Sequence, residues 1–448
     1  MPPRFFIATL GCPKNEVDSA KLVGRLAAAG YARTSEPAEA DLVVVNTCAF
    51  IEPAREESIE TILGLSRLRR PGARLAVTGC LAERSGPELA AAMPEIDVVA
   101  GFGVDFLETL PASHRPLGEP VRLRLRKDVP SFDLLELPRP PATAPWAYVK
   151  VAEGCDRKCG FCAIPSFRGK QRSRSMRSIL AEVESLRARE IVLVAQDLAS
   201  FGRDQSNRRD RAAGGDDIVQ LVEAVAARVD RTRLLYLYPS SLSDRLIDTI
   251  VATGVPYFDL SLQHVSGAHL RRMRRWGSGK RFLERIQRIR SAAPDAALRS
   301  SFILGYPGET EEDHDELLSF LGEAELDWAG FFTFSKEVGT YAADLDGEVP
   351  RELALERLRE CSELQDFVTA RRRRDLVGST ISVLVDRPGV GRSFREAPEI
   401  DGIVRIAGDR RAGDFADVVV TGAEGPDLVA EATSIGTDRL TPATMVAS

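Results

Sequence analysis

The stretch AYVKVAEGCDRKCGFC, residues 147–162, decides the fold of the central part of this chain. It begins as a short apolar run of the kind that forms a buried parallel strand, and Cys155 follows that run directly. The spacing C-x3-C-x2-C lets one loop present the thiolates of Cys155, Cys159 and Cys162 to a single cluster. A cubane iron–sulfur cluster has four irons, so the motif predicts a cluster with one iron left open.

A zinc site is the alternative interpretation of this loop. Zinc needs a fourth protein ligand in a structural site, and the loop itself contains none. His264, at the end of a later predicted strand, is the candidate for that ligand. A histidine at a strand end is more often a hydrogen-bonding or substrate-binding group, so the iron–sulfur interpretation is favoured.

From Trp146 onward, six apolar runs alternate with helical patterns. This alternation predicts an open, partial (β/α)6 barrel over residues 145–375, whose last helix runs from Pro350 to about Arg374. Active sites of such barrels form at the carboxyl ends of the strands, where the cysteine motif lies. The predicted strands are AYVKVA, EIVLVAQ, RLLYLYP, YFDLSLQ, LRSSFILG and AGFFTFS.

Residues 1–112 alternate strand and helix on a smaller scale, which predicts a doubly wound α/β domain. Its parallel strands are the apolar runs RFFIATL, DLVVVNT and RLAVTG. Asn15 and Asp18 indicate a capping-box-like start for the first helix, which is expected to end near Gly30. Pro53 suits the first turn of a second helix that runs to about Arg70.

Three further cysteines, Cys12, Cys48 and Cys80, each lie just past the end of one of these strands. Strand ends on one edge of a doubly wound sheet converge, so the three thiols are expected to meet there. Three small buried hydrophobic residues are the alternative, but that interpretation does not explain their shared position. The pattern favours a second iron–sulfur cluster with three thiolate ligands, whereas Cys361 has no partner in its helix and is expected to be a core residue.

The remaining segments differ in composition from both domains. Residues 113–144 are rich in proline and predict a linker with one hairpin around VRLRLRKD, residues 121–128. Residues 376–445 contain short strands separated by Gly, Pro and Asp. That pattern predicts a small antiparallel β-barrel of the oligonucleotide-binding type.

The composition excludes some classes of protein. The chain has 448 residues and a formal net charge of −6, which argues against indiscriminate coating of nucleic acid, although basic residues cluster around the cysteine motif and at 271–276 and 371–374. Clustered cysteines favour metal or redox chemistry over structural disulfides. The sequence contains no apolar run of membrane-spanning length and begins without a signal-peptide pattern, so a cytoplasmic protein is expected.

The C-x3-C-x2-C motif at the head of a βα barrel resembles that of the radical S-adenosylmethionine (SAM) superfamily. The resemblance implies a [4Fe-4S] cluster whose open iron binds SAM, and reductive cleavage of SAM to a 5′-deoxyadenosyl radical. With the second triad and a tail that looks like a TRAM domain, the whole chain resembles the methylthiotransferases. In that family a second [4Fe-4S] cluster carries the sulfur that is inserted, two SAM molecules are used, and no catalytic residue beyond the cluster ligands is implied.

Within that family the chain resembles the RimO branch in four segments: TLGCPKNEVDSA (9–20), VAQD (194–197), SLQH (261–264) and APEIDG (397–402). This implies methylthiolation of the β-carbon of an aspartate on ribosomal protein S-twelve, with that protein or the assembled small subunit as partner. An unidentified electron donor and an RNA contact through the TRAM domain are also implied. Methylthiolation of a tRNA adenosine is the alternative. A non-enzymatic iron–sulfur protein is disfavoured because it needs no open iron.

By the same resemblance, five residues at or near strand ends are expected to line the SAM pocket: Phe161, Gln196, Gln263, Gly305 and Glu309. The glycine of the GYPGE segment equally suits a tight strand-to-helix turn. Asp197 and His264 are expected to hydrogen-bond the substrate, with a structural role as the alternative.

Overall fold

Parallel strands form a six-stranded N-terminal sheet in the order β2-β1-β3-β4-β5-β6. The structure is a computed structural model that describes residues 1–102, 107, 121–122, 134–205 and 217–432. β3 is buried at every position, as expected for a central parallel strand. The strands are β1 (Arg4–Thr9), β2 (Ala32–Arg33), β3 (Leu42–Thr47), β4 (Arg74–Gly79), β5 (Val98–Val99) and β6 (Val121–Arg122).

The described residues of this domain include three α-helices: α1 (Pro13–Ala28), α2 (Glu52–Leu68) and α3 (Cys80–Ala92). The predicted capping box of Asn15 and Asp18 is wrong, because α1 begins after Cys12 and has no side-chain cap. The Asn15 amide instead donates to the carbonyls of Leu10 and Thr47, each at 2.9 Å, and Asp18 forms a buried ion pair with the barrel. Both side chains therefore serve contacts between elements rather than the helix start.

The predicted linker contributes to this sheet, because β6 pairs in parallel with β5 at residues 121–122. The rest of the predicted hairpin, residues 123–128, lies outside the described residues. Further along, the chain returns against α1, where a Cβ on Gly24 would lie 2.8 Å from the carbonyl oxygen of Pro138. Such close backbone approach requires glycine at that position.

Six parallel strands form the central barrel, and all six were predicted from the sequence. They form two three-stranded sheets, β11-β10-β7 and β12-β13-β14, which an isolated bridge between Leu237 and Leu260 joins. A short antiparallel ribbon of β8 (Ala152–Glu153) and β9 (Arg172–Ser173) flanks the cysteine loop. The six strands are β7 (Trp146–Lys150), β10 (Glu190–Val194), β11 (Arg231–Leu234), β12 (Tyr257–Gln263), β13 (Ala297–Leu304) and β14 (Trp328–Thr333).

Most barrel helices begin at a polar cap. The residue before each of α5 to α10 is a serine, aspartate or threonine whose side chain accepts a hydrogen bond from the backbone of the first helical turn. No helix in the described part of the chain is both long and apolar enough to cross a membrane. The helices are α4 (Ile164–Arg168), α5 (Met176–Leu186), α6 (Ile218–Ala226), α7 (Asp244–Ala252), α8 (Gly267–Arg272), α9 (Gly279–Ala292), α10 (Glu311–Ala324) and α11 (Arg351–Arg374).

After α11 the chain forms a closed five-stranded barrel in the order β15-β16-β17-β19-β18. All its pairs are antiparallel except β17 with β19, which is parallel. The predicted three-part architecture of doubly wound domain, partial barrel and small β-barrel is confirmed. The strands are β15 (Thr380–Arg387), β16 (Val390–Arg392), β17 (Val404–Ile406), β18 (Phe415–Glu424) and β19 (Asp427–Ala432), of which β16 was not predicted.

A buried ion cluster attaches the small β-barrel to the amino ends of the central strands. Glu190, the first residue of β10, accepts hydrogen bonds from Arg233 at 2.8 Å and from Arg392 at 2.9 Å. Arg231 reaches the backbone carbonyls of Ser382 and Arg392. Burial alone would raise the pKa of Glu190, but Arg392 and Arg233 lower this pKa to about 2.

Glu190→Gln is expected to lower the free energy of unfolding by about 3–5 kcal/mol, because the buried Arg233 guanidinium loses its carboxylate and Arg392 keeps only Asp386. The native pKa lies below the ordinary value of 4.5, so the carboxylate's contribution is complete above about pH 4.5. That contribution is lost as the pH falls from about 4.5 towards about 2. Thermal melts of both proteins between pH 7 and pH 3 should show a difference that narrows below about pH 4.5.

Glu184→Gln is the matched control, because its partner Arg228 and Glu184 itself are both substantially exposed. Its effect is expected to stay within about 0.5 kcal/mol. Equal melting temperatures of the Glu190→Gln and Glu184→Gln variants at pH 7 would contradict the assigned role of Glu190.

Candidate metal centres

Three cysteines meet at the carboxyl ends of adjacent strands in the N-terminal sheet. Cys48 follows β3 directly and Cys80 follows β4 directly, while Cys12 lies in the turn after β1. β3 lies between β1 and β4 in the sheet, so the three strand ends are neighbours. A Cβ on Gly11 would lie 2.7 Å from the sulfur of Cys48, so the turn that carries Cys12 touches the second thiol.

Two asparagines fix the turns that carry these thiols. Asn15 ties the turn after β1 to the end of β3, and the Asn46 amide donates to the carbonyl of Asn15 at 2.8 Å. The backbone N–H of Cys48 donates to the hydroxyl of Ser58 on α2 at 3.1 Å. The role of Asn15 in this turn differs from the predicted helix cap, and no local sequence pattern marks Asn46 or Ser58.

The three thiols differ in how readily they ionise. Burial, together with the nearby Cys80 and Cys12 thiols, raises the pKa of Cys48 to about 11. Burial also raises the pKa of Cys80, against the attraction of Arg168. Burial opposes ionisation of Cys12 as well, but Lys14 and Arg168 lower the pKa of that thiol overall. Three clustered thiolates thus need added positive charge, which a bound metal cluster supplies.

The second triad lies on the loop between β8 and α4. Its ends are anchored because the Cys155 N–H donates to the Gly169 carbonyl at 3.1 Å and the Gly160 N–H donates to the Met273 carbonyl at 2.8 Å. A Cβ on Gly160 would lie 2.8 Å from the hydroxyl of Tyr306, so this position admits little beyond glycine. Burial raises the pKa of Cys155 to about 11 and that of Cys162 to about 12.

Two arginines enclose an aromatic ring beside this loop. The guanidinium carbons of Arg157 and Arg275 lie 3.9 Å and 4.2 Å from the centre of the Tyr238 ring. Arg275 also donates to the sulfur of Cys159 at 3.2 Å. Arg157 donates to Asp197 at 2.6 Å, so the carboxylate that was expected to contact substrate has a partner within the chain. Both arginines place positive charge next to the loop.

The predicted pocket residues have varied surroundings. Phe161 packs, partly buried, against the barrel core. The Gln196 amide donates to Glu153 at 2.7 Å, and its buried carbonyl oxygen has no partner in the described structure. Gln263 ends β12 in a left-handed conformation, with φ +72°. Gly305 has the same φ, +72°, which favours glycine at the turn after β13.

Glu309 shapes this turn with its own carboxylate. Its Oε2 accepts hydrogen bonds from the backbone of Gly305 at 2.5 Å and of Tyr306 at 3.2 Å. Its Oε1 lies 3.2 Å from Arg357 on α11. Both carboxylate oxygens are therefore engaged by groups of the chain itself.

His264 belongs to a buried group with His269 and Glu309, whose ligand atoms all lie within 4.8 Å of one another. Burial lowers the pKa of His264 to about 3 and that of His269 to about 4, so both rings are neutral. Arg357 beside Glu309 disfavours a cation there. His264 thus packs in the wall of the barrel with these partners.

The separation of the sulfur atoms distinguishes a site for a single zinc ion from a site for an iron–sulfur cluster. In neither triad, all of whose members are described, do the three sulfur atoms all lie within 4.8 Å of one another. A single zinc ion bound at about 2.3 Å draws its sulfurs to within about 4 Å of each other. Neither triad therefore has the close approach that a single zinc ion requires, whereas three thiolates match the ligand number of a [4Fe-4S] cluster with one iron left without a cysteine.

Arg168, at the end of α4, connects the N-terminal triad to Glu153, in the segment that leads into the barrel triad. Its Nη2 donates to the sulfur of Cys80 at 3.1 Å, and its Nη1 donates to Glu153, close to Cys155, at 2.8 Å. In the sequence, Arg168 is one of several basic residues around the cysteine motif. Its pairing with a cysteine of the other domain has no local sequence signal.

Three family models match the chain. The model described as "Uncharacterized protein family UPF0004" matches residues 4–101, "Radical SAM superfamily" matches residues 149–321 and "TRAM domain" matches residues 377–433. Among solved structures, the radical SAM methyltransferase TsrM from Kitasatospora setae, with cobalamin and a [4Fe-4S] cluster bound, aligns with a TM-score of 0.46. That alignment is at 15% identity over 75% of this chain and 76% of TsrM.

Curated relatives match over nearly the full length. The "Ribosomal protein uS12 methylthiotransferase RimO" of Cutibacterium acnes is 39% identical over 95% of this chain and 97% of that protein. The protein of the same name from Moorella thermoacetica is 41% identical over 93% of this chain and 96% of that protein. The Geobacter sulfurreducens protein of that name is 40% identical over 95% of this chain and 97% of its own length.

Gly79→Ala is expected to disrupt the N-terminal centre. Gly79 has φ +93°, and a Cβ there would lie 2.5 Å from the backbone N and O of Thr47, next to Cys48. The crowded atoms are backbone, so the turns carrying Cys48 and Cys80 must separate. After anaerobic reconstitution, iron bound per chain should fall towards the amount that one cluster accounts for.

Gly72→Ala is the control within the same domain. Gly72 has a similar φ of +82°, but a Cβ there would meet nothing within 4 Å. It should cost about 1–2 kcal/mol of stability and leave the iron content unchanged. Equal iron content in the two variants would count against the assigned role of the Gly79 turn.

Proposed function

The chain belongs to the RimO family of radical SAM methylthiotransferases, and we propose that it transfers a methylthio group to the β-carbon of an aspartate of ribosomal protein uS12. The observation that carries this proposal is the pair of cysteine triads, which lie at facing edges of two domains and are linked through Arg168. A radical enzyme that inserts sulfur needs both centres close to one substrate.

The activity named for the similar proteins supports a protein substrate over a tRNA adenosine. Relatives from several bacterial species that carry the uS12 methylthiotransferase name are about 40% identical over more than nine-tenths of the chain. The four RimO-like segments of the sequence agree with them.

In this proposal Cys155, Cys159 and Cys162 hold a [4Fe-4S] cluster at the carboxyl ends of the barrel strands. When bound there, the cluster would supply the electron for reductive cleavage of SAM to methionine and a 5′-deoxyadenosyl radical, which becomes 5′-deoxyadenosine when it takes a hydrogen atom from the substrate. The chain's own residues position the loop through the Gly160–Met273 hydrogen bond. Arg275 donates a hydrogen bond to the Cys159 sulfur at 3.2 Å and so helps to fix the position of that ligand.

Cys12, Cys48 and Cys80 are proposed to hold the second [4Fe-4S] cluster, which carries the sulfur to be transferred. Lys14 and Arg168 supply positive charge beside the Cys12 thiol. Asn15 and Asn46 keep the turns in register, so the three sulfurs stay in place.

For the SAM pocket we retain five residues: Phe161, Gln196, Gln263, Gly305 and Glu309. The unpartnered buried oxygen of Gln196 supports a polar ligand at that position. Glu309 is proposed to contribute through the shape of its turn, because its carboxylate is already engaged.

The proposed domain limits are 1–112 for the N-terminal domain, 113–144 for the linker, 145–375 for the radical SAM barrel and 376–445 for the TRAM domain. The TRAM domain is proposed to contact RNA near the ribosomal substrate, and an electron donor of unidentified nature reduces the clusters. A ribosomal substrate would place the enzyme in the cytoplasm.

Replacing a cysteine of either triad should have different consequences. Cys159→Ala is expected to abolish 5′-deoxyadenosine formation, because the barrel cluster loses a ligand. Cys48→Ala should retain some 5′-deoxyadenosine formation and stop methylthiolation. Both products are measured by liquid chromatography and mass spectrometry with the reduced, reconstituted protein.

Cys361→Ala is the matched control, because it removes a buried thiol from α11 far along the chain from both triads. Both activities should persist in this variant. A Cys48→Ala protein that forms methylthiolated product at the normal rate would refute the second-cluster assignment.

The substrate assignment is tested on ribosomes from cells with and without the gene. Protein uS12 is expected to lose the mass of one methylthio substituent when the gene is deleted, as seen by intact-mass spectrometry. An unchanged uS12 together with an altered tRNA nucleoside profile would instead establish the tRNA alternative.

A further inference from the structure

Arg168 reaches from the barrel into the N-terminal domain. It ends the short helix α4, just after the C-x3-C-x2-C loop, and its side chain is 3% exposed. Its Nη2 donates to the sulfur of Cys80 at 3.1 Å and to Oδ1 of Asn15 at 2.9 Å. Both acceptors belong to the other domain, and one of them is a proposed cluster ligand.

The other terminal nitrogen of the same guanidinium contacts a carboxylate of the barrel. Its Nη1 lies 2.8 Å and 2.9 Å from the two carboxylate oxygens of Glu153, two residues before Cys155. The ring of Phe102 packs against the guanidinium, with 4.0 Å between the guanidinium carbon and the ring centre. A planar group held on both edges and one face has little freedom to move.

Glu153 and Asp18 are themselves held in place. Lys150 on β7 donates to Glu153 at 2.7 Å and forms a buried ion pair with Asp18 on α1. The Gln196 amide donates to Glu153 at 2.7 Å. The carboxylates that contact Arg168 are therefore held by other buried partners, and they in turn hold the guanidinium that donates to Cys80.

A second contact with the barrel holds helix α3 of the N-terminal domain, the helix that begins at Cys80. Glu337, which follows β14, accepts hydrogen bonds at 2.5 Å from Arg55 on α2 and from Arg84 on α3. Arg84 lies one turn after Cys80 on α3. The barrel thus contacts α3 at two positions: Arg168 binds Cys80, and Glu337 binds Arg84.

We propose that Arg168 is a positioning residue that sets the place of the Cys80 thiolate, and with it the N-terminal centre, relative to the barrel centre. This rests on the proposed function, in which Cys80 ligates the second cluster. The Nη2 hydrogen bond also withdraws electron density from that thiolate, which raises the reduction potential of the centre it ligates. A displacement of about 1 Å between reacting groups costs about a hundredfold in rate.

The distinguishing variant is Arg168→Lys. A lysine keeps the positive charge that Glu153 and Asp18 need, but one ammonium group is unable to span from Glu153 to Cys80 as the guanidinium does. Arg139→Lys is the matched control, because Arg139 is likewise buried and paired with Glu182 at 2.8 Å. Its recorded contacts within the described residues, to Glu182 and the Tyr148 carbonyl, include no cysteine.

The first measurement isolates the N-terminal centre by replacing Cys155, Cys159 and Cys162 with alanine in the full chain. In this background, Arg168→Lys should retain iron, shift the electron paramagnetic resonance spectrum and move the midpoint potential to a more negative value. Arg139→Lys should leave the spectrum and the potential unchanged. If the alanine background binds iron with and without Arg168→Lys, and the two proteins have identical spectra and potentials, the inference is overturned and the proposed function stays intact.

The second measurement uses the protein with all six cysteines and small ribosomal subunits from a strain lacking the gene. The amount of methylthiolated uS12 formed per 5′-deoxyadenosine should fall about tenfold or more in Arg168→Lys. A merely structural role would lower both products together and leave their ratio unchanged, which would overturn the inference. If the protein that lacks Cys155, Cys159 and Cys162 but keeps Arg168 binds no iron, the second cluster is refuted, and with it the proposed function.

Discussion

Four buried charges between the N-terminal domain and the barrel determine how the two cysteine triads face each other. Lys150, Glu153 and Arg168 belong to the barrel, and Asp18 belongs to α1. A buried charge without a partner costs several kcal/mol, so the two domains satisfy these charges in one relative position. The same residues lie beside Cys80 and Cys155, so the ion cluster and the candidate metal centres share one location.

The barrel carries its cysteine loop at the carboxyl ends of its strands and binds the C-terminal domain at their amino ends. The carboxyl ends carry the C-x3-C-x2-C loop and face the N-terminal domain, which is where barrels of this type place their chemistry. The amino ends hold Glu190, Arg231 and Arg233, which dock the small β-barrel through Arg392 and backbone carbonyls. The C-terminal domain is therefore attached at the opposite ends of the strands from the cysteine loop.

Helix α1 joins these two regions, because it packs against the inner side of the incomplete barrel. Val17 lies in one apolar cluster with Tyr148, Tyr257 and Trp328, while Asp18 pairs with Lys150 of β7. An open barrel leaves interior side chains uncovered, and α1 covers part of that interior. The N-terminal domain thus contributes to the core of the barrel as well as carrying its own cysteines.

The sequence by itself determined the elements and the two triads. Strands such as β3 and β10 are continuous apolar runs, and Cys12, Cys48, Cys80 and Cys155 each lie just past a strand end, so both features are readable from local pattern. The tertiary structure alone decided the partners of the buried polar residues. Asn15 pairs with a residue 32 positions away and Lys150 with one 132 positions away. Such contacts depend on how the domains fold against each other, and no local periodicity encodes them. For that reason the sequence predicted where the thiols lie, whereas only the fold showed that Arg168 links one triad to the other.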